Sequence, residues 1–160
     1  MRKYISKCMI LLLVMLMCSA CGKEKRNRDE EETIIKSFFS DVYSITDLDY
    51  EKFMSYDFSD ETDMEELETW LYEKYENYLT EHGFECSMRN NIIIQGFKQY
   101  QENGEQAAQI KDFQLEEKKS GDTYWYEYKI ILDTQAEAKE TTGILFFSSE
   151  EPNKIDKITK

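Results

Sequence analysis

The hydrophobic period of the chain changes once. Up to Gly83 the apolar residues recur every three or four positions, and after Gly104 they recur every two. The first spacing lays an apolar stripe along a helix, and the second gives a strand one apolar face. Helical segments followed by strands, rather than alternating with them, confine the fold to the α+β class. Short connections between the strands predict antiparallel pairing.

In the helical part, ETIIKSFFSDVYSI sets Ile34, Ile35, Phe38, Phe39, Val42 and Ile45 on one face. Thr46-Asp-Leu-Asp49 predicts a break and a restart, with Tyr50, Phe53 and Met54 on a short second helix. Thr62 and Asp63 each have a glutamate three residues later, a capping-box spacing that predicts the start of a third helix. Leu67, Leu71, Tyr75, Tyr78 and Leu79 form its apolar side. Gly83 reads as its stop, with Phe84 folding back on the last turn. His82, the only histidine, then sits in that turn, where a partial negative charge favours it. Residues 84–104 keep no clear period and fit a short strand, a helix turn and a loop.

In the second part, AAQIKDFQLEE changes phase between Ile110 and Phe113, as a bulged strand does. Ser120-Gly121-Asp122 predicts a hairpin turn. TYWYEYKIILD puts Tyr124, Tyr126, Tyr128, Ile130 and Leu132 on one face. Ala108, Ile110, Phe113 and Leu115 join that core face, as do Ile144 and Phe146 from TTGILFF. A turn with Pro152 and Asn153 leads to a closing KIDKI, which completes a four-stranded antiparallel meander.

Three helices followed by a strongly bent antiparallel sheet resemble the NTF2-like (cystatin-like) α+β cone. The helical run 31–82, the strand YWYEYKI and the closing KIDKI carry the resemblance. It implies one domain over residues 32–160, with N-terminal helices packed against a curved four-stranded antiparallel sheet. That family leaves a pocket at the wide end of the cone, lined here by Trp70, Tyr75, Tyr124, Tyr126 and Tyr128. It includes isomerases and dehydratases, but also non-catalytic binding and assembly modules. Fold alone does not choose between them.

The N-terminus points to a location. Arg2, Lys3 and Lys7 precede the uninterrupted apolar run Cys8–Cys18. A membrane-spanning helix needs ~20 apolar residues, whereas a secretory signal needs ~7–15. Ser19, Ala20 and Cys21 then resemble the lipobox of bacterial lipoproteins, with Cys18 where leucine is usual. The resemblance implies cleavage between Ala20 and Cys21 and a diacylglyceryl group on the Cys21 sulfur. The protein would be lipid-anchored at the extracytoplasmic face of the cell membrane, and the C-x-x-C of Cys18 and Cys21 would be an accident of processing. Residues 21–31, with the basic KEKRNR, read as a flexible tether.

Loss of residues 1–20 removes three Lys+Arg and no acid, leaving 17 basic against 33 acidic residues, a formal charge of −16. A nucleic-acid partner requires the opposite balance. Cys86 is the one thiol left besides Cys21, which excludes an intrachain disulfide. DFSDETDMEELE offers Asp57, Ser59, Glu61, Asp63 and Glu68 at calcium-loop spacing, but Thr62 stands where glycine makes the turn. An acid-rich helix start explains the run, and no metal or cofactor is expected.

The core face of the meander carries no Asp, Glu, His or Lys, and Glu127 and Asp133 fall on the opposite face by alternation. The expected role is therefore non-catalytic. The cone holds an apolar or aromatic ligand, or the outer face, through Trp125 and Ile131, docks an envelope protein. The alternative is a pocket enzyme of isomerase or dehydratase type using Asp133 or Glu127, which a one-residue register shift would turn inward.

Overall fold

The computed structural model describes residues 26–160 apart from 136. The export signal, Ala20, Cys21 and the start of the tether lie outside the described residues. Five helices precede the sheet: α1 (Arg28–Tyr43), α2 (Asp47–Met54), α3 (Glu61–Tyr75), α4 (Glu81–Arg89) and α5 (Ile92–Glu102). The strands are β1 (Gln109–Ser120), β2 (Thr123–Asp133), β3 (Lys139–Phe147) and β4 (Ile155–Thr159). They form one antiparallel sheet in the order β1-β2-β3-β4, curved against the helices and not closed. No helix among the described residues is long and apolar enough to cross a membrane.

α1 starts four residues before the expected domain boundary. Asp29, Glu30 and Glu31 occupy its first turn, where acids complement the helix dipole. Glu31, expected at the end of a tether, is buried. Farther along, Ile35, Phe38, Phe39 and Val42 are fully buried. Full burial of each such side chain is worth about 1.5–3 kcal/mol, which makes α1 the centre of the core. Thr46 caps α2 in a complete capping box with Asp49. The cap of α3 is Asp60, upstream of the expected Thr62 and Asp63, whose backbone N–H groups it accepts.

The expected third helix does not run to Gly83. It ends at Tyr75, because residues 78–80 leave it to pair with β4. Ile155 N–H donates to Tyr78 O at 2.8 Å, and Thr80 N–H donates to Ile155 O at 3.0 Å. Thr80 then caps α4, its hydroxyl accepting from Gly83 N–H. Gly83 thus lies inside a helix. A Cβ there would stand 2.1 Å from the Ile155 carbonyl oxygen, so the glycine permits the α4–β4 contact. His82 accordingly occupies the first turn of α4, not the last turn of a helix. Residues 84–104 contain most of α4 and all of α5, with no strand.

The β1 register shifts between Ile110 and Asp112, a bulge at the anticipated place. Ser120 pairs with Thr123 around Gly121 (φ 60) and Asp122. Positive φ at the first central residue alone is the type II′ pattern, whose twist suits a hairpin. Tyr126, Tyr128, Ile130 and Leu132 are buried on the inner face of β2. The phase of β3 is opposite to that expected. Tyr126 pairs with Leu145 and Glu127 with Ile144, so Leu145 is buried inside. Ile144 and Phe146 lie outside, Phe146 beside Trp125 with ring centroids 6.2 Å apart.

Candidate docking surface

The five aromatics expected to line a pocket are dispersed. Tyr75, Tyr126 and Tyr128 are buried in the core. Tyr75 meets Phe38 edge-on at 5.9 Å, and Tyr128 packs on Phe39 at 4.7 Å. The Phe39 ring of α1 thus packs against Tyr128 on the inner face of the sheet, while Tyr126 meets Phe147 of β3. Burial pushes the Tyr75 and Tyr128 hydroxyls well above their usual pKa. Tyr124 lies at the hairpin end, with the Arg26 guanidinium 4.5 Å and the Lys119 ammonium 4.6 Å from its ring centre. Trp70 belongs to another group, with Phe97, Tyr56 and Lys52 around it.

Glu127 and Asp133 are exposed on the outer face, where Glu127 lies 3.7 Å from Lys118. Trp125 and Ile131 are half-buried there. Trp125 is covered on one side by Phe146, and Ile131 stands between Asp112 and Glu140. In the acid-dense segment the side chains hold the backbone. Asp57 Oδ1 accepts from Ser59 N–H at 2.9 Å, Asp63 Oδ2 from Asp57 N–H at 2.8 Å, and Asp60 caps α3. Those bonds fold residues 57–63 into a tight helix entry, and Glu61 and Glu68 are exposed.

His82 has neighbours that sequence reasoning missed. Its Nε2 lies 3.5 Å from Cys86 Sγ, its Nδ1 lies 3.4 Å from Asp156 Oδ2, and the Thr80 hydroxyl donates to Asp156 Oδ1 at 2.8 Å. The four-residue spacing of His82 and Cys86 was the available signal, but nothing local placed Asp156 beside them. Nucleophilic catalysis needs a reachable thiol near unpaired N–H donors. Cys86 is buried in the second turn of α4, where the backbone N–H belongs to the helix ladder. The contacts tie α4 to β4.

The surface feature that stands out is α2 and the loop after it. α2 buries one side only: Phe53 stacks on Phe97 at 4.2 Å, and Tyr50 lies 5.0 Å from Tyr100. Burial pushes the Asp49 carboxyl up, but the Lys74 ammonium at 2.7 Å and the Thr46 hydroxyl and N–H pull it further down, to a net lowered pKa. The helix is thereby fixed at both its cap and its inner face. Its outer side and the loop leave Leu48 77%, Met54 51% and Phe58 51% exposed. They are the exposed large apolar side chains among the described residues, and all three fall within residues 48–58.

Beside Leu48 lies an open groove of about 500 Å³, lined by Ile45, Asp47, Tyr100, Glu105 and Ala107 among others. The Tyr100 hydroxyl donates to Asp47, which holds its pKa up at about 12. Glu105 has φ 59, a left-handed conformation that a side chain with a Cβ adopts at a cost. Comparison with models of protein families, with curated proteins and with solved structures finds no match to the chain.

Proposed function

We propose that the protein is a lipid-anchored module on the extracytoplasmic face of a bacterial membrane, and that it acts by docking a protein partner. The anchor is Cys21, exposed as the mature N-terminus by cleavage after Ala20. The role is non-catalytic. The observation that carries the docking reading is the grouping of exposed Leu48, Met54 and Phe58 on one short stretch held rigid from beneath. Apolar side chains scattered singly over a surface need no explanation, whereas their concentration on one element does. Packing of Tyr75, Tyr126 and Tyr128 into the core favours this reading over an aromatic ligand held in a cone. The half-buried Trp125 and Ile131 are weaker docking candidates than the α2 surface.

Two measurements test the proposal. The mass of the mature chain, released from its own membrane, should correspond to residues 21–160 plus a diacylglyceryl group. An uncleaved, unmodified chain overturns the anchor. A photoreactive residue at position 58, expressed in intact cells, should give a discrete protein adduct that one at exposed Glu150 does not. A small-molecule adduct or none at position 58 overturns docking.

A further inference from the structure

We propose that the surface around α2 receives a cationic amphipathic segment of a partner protein, one that presents apolar side chains flanked by lysine or arginine. The inference rests on the docking reading above and adds the chemistry of the occupant.

Charge carries it. Residues 46–68 hold ten Asp and Glu against one lysine, a formal −9 of the −13 of the whole chain. Asp49 alone among the ten has a lysine or arginine partner among the described residues, Lys74. Lys52, the one basic residue of the stretch, is set over the Trp70 ring at 4.6 Å. The acids are interleaved with the apolar groups along the segment. Glu51 stands one helical turn from both Leu48 and Met54, and Asp57 directly precedes Phe58. Apolar side chains interleaved with carboxylates that lack a lysine or arginine partner favour a partner that supplies the opposite sign together with an apolar face.

The same charge disfavours the other occupants. A second copy meeting this face through two-fold symmetry would set −9 against −9. An anionic bilayer would be repelled over about 8 Å at physiological salt. Of the −16 of the mature chain, −9 lies in these 23 residues and −7 in the other 117, so charge is densest in the segment that also exposes Leu48, Met54 and Phe58.

The test uses the full lipidated chain in nanodiscs of phosphatidylcholine, with empty nanodiscs as baseline, and three labelled synthetic peptides. One alternates leucine and lysine at amphipathic-helix spacing, one replaces its lysines by glutamate, and one replaces its leucines by serine. The leucine–lysine peptide should bind at least tenfold tighter than either other, and salt should weaken it. The pair Leu48→Ser with Phe58→Ser should reduce its affinity at least tenfold, with an unchanged thermal melt showing that the fold is intact. Glu51→Gln with Glu66→Gln should flatten the salt dependence. Equal binding of the serine–lysine peptide, or indifference to Leu48→Ser with Phe58→Ser, overturns the proposal, as does self-association through this face. If position 58 still crosslinks to a protein in cells while the leucine–lysine peptide fails, the partner chemistry is wrong and docking stands. If position 58 captures no protein, the docking reading itself has failed.

Discussion

The Tyr126 hydroxyl in β2 donates to a carboxylate oxygen of Glu31 in α1 at 2.8 Å, across 95 residues of chain. Arg26 completes the arrangement. Its Nη2 donates to the same hydroxyl at 2.9 Å, its Nε donates to Glu31 at 2.8 Å, and its Nη1 reaches Glu117 in β1 at 2.6 Å. The second half of the expected flexible tether, from Arg26 on, is therefore pinned to the sheet and to α1. Tyr126→Phe removes two hydrogen bonds to charged groups, the one donated to Glu31 and the one accepted from Arg26, and should lower stability by about 1.5–3 kcal/mol. Arg26→Ala leaves the buried Glu31 without its cation and should cost roughly 2–3 kcal/mol. Urea unfolding of the two variants measures both. A neutral Arg26→Ala would mean that the segment before α1 is not docked.

Tyr75 is fully buried, and its hydroxyl has no hydrogen-bond partner among the described residues. An unpartnered buried hydroxyl costs about 1–3 kcal/mol. Tyr75→Phe keeps the ring on Phe38 and removes that cost, so it should raise stability by about 1 kcal/mol. A loss of stability in the same urea experiment would reveal a partner for the hydroxyl and refute the account.

Two glycines should respond differently to alanine. At Gly96 in α5 a Cβ would lie 1.9 Å from the Val42 carbonyl oxygen of α1. Neither backbone can give way without separating the helices, and Gly96→Ala should cost at least about 3 kcal/mol. At Gly121 nothing lies within 4 Å of the added Cβ, but φ is 60°. Gly121→Ala should cost only the conformational strain, about 1 kcal/mol. Thermal melts of both variants separate collision from strain.

Alkaline pH should unfold the protein through its tyrosines. The hydrogen bond to Asp41 and burial raise Tyr78 to about 12, and the bond to Asp47 and burial raise Tyr100 to about 12. Burial raises Tyr75, Tyr126 and Tyr128 further. A group whose folded pKa is raised stabilises the fold fully below its unfolded value, ~10 for tyrosine. That stability is lost as pH climbs from there toward the folded value, because the unfolded chain releases its proton first. Unfolding free energy should fall above about pH 10, and Tyr78→Phe and Tyr100→Phe should each shallow the slope. A slope unchanged in both variants would contradict these assignments.

The sequence by itself determined the elements whose rules are local. A period of two, a glycine at the hairpin turn and a phase change between Ile110 and Phe113 specify the β1–β2 ribbon, since pleat and turn geometry act over a few residues. The stripe of α1 and the break and restart at Thr46-Asp-Leu-Asp49 were legible for the same reason. TTGILFF was not: a continuous apolar run carries no alternation, so only pairing with β2 decided that Leu145, rather than Ile144 and Phe146, faces the core. Gly83 reads locally as a helix stop, and only the approach of the Ile155 carbonyl makes it a helix interior. His82 moved with it. Tertiary structure alone brought Arg26, Glu31 and Tyr126 together and turned Tyr75, Tyr126 and Tyr128 from expected pocket lining into packing. It alone left Leu48, Met54 and Phe58 uncovered, because exposure depends on what the rest of the chain places over a residue, and no local pattern contains that.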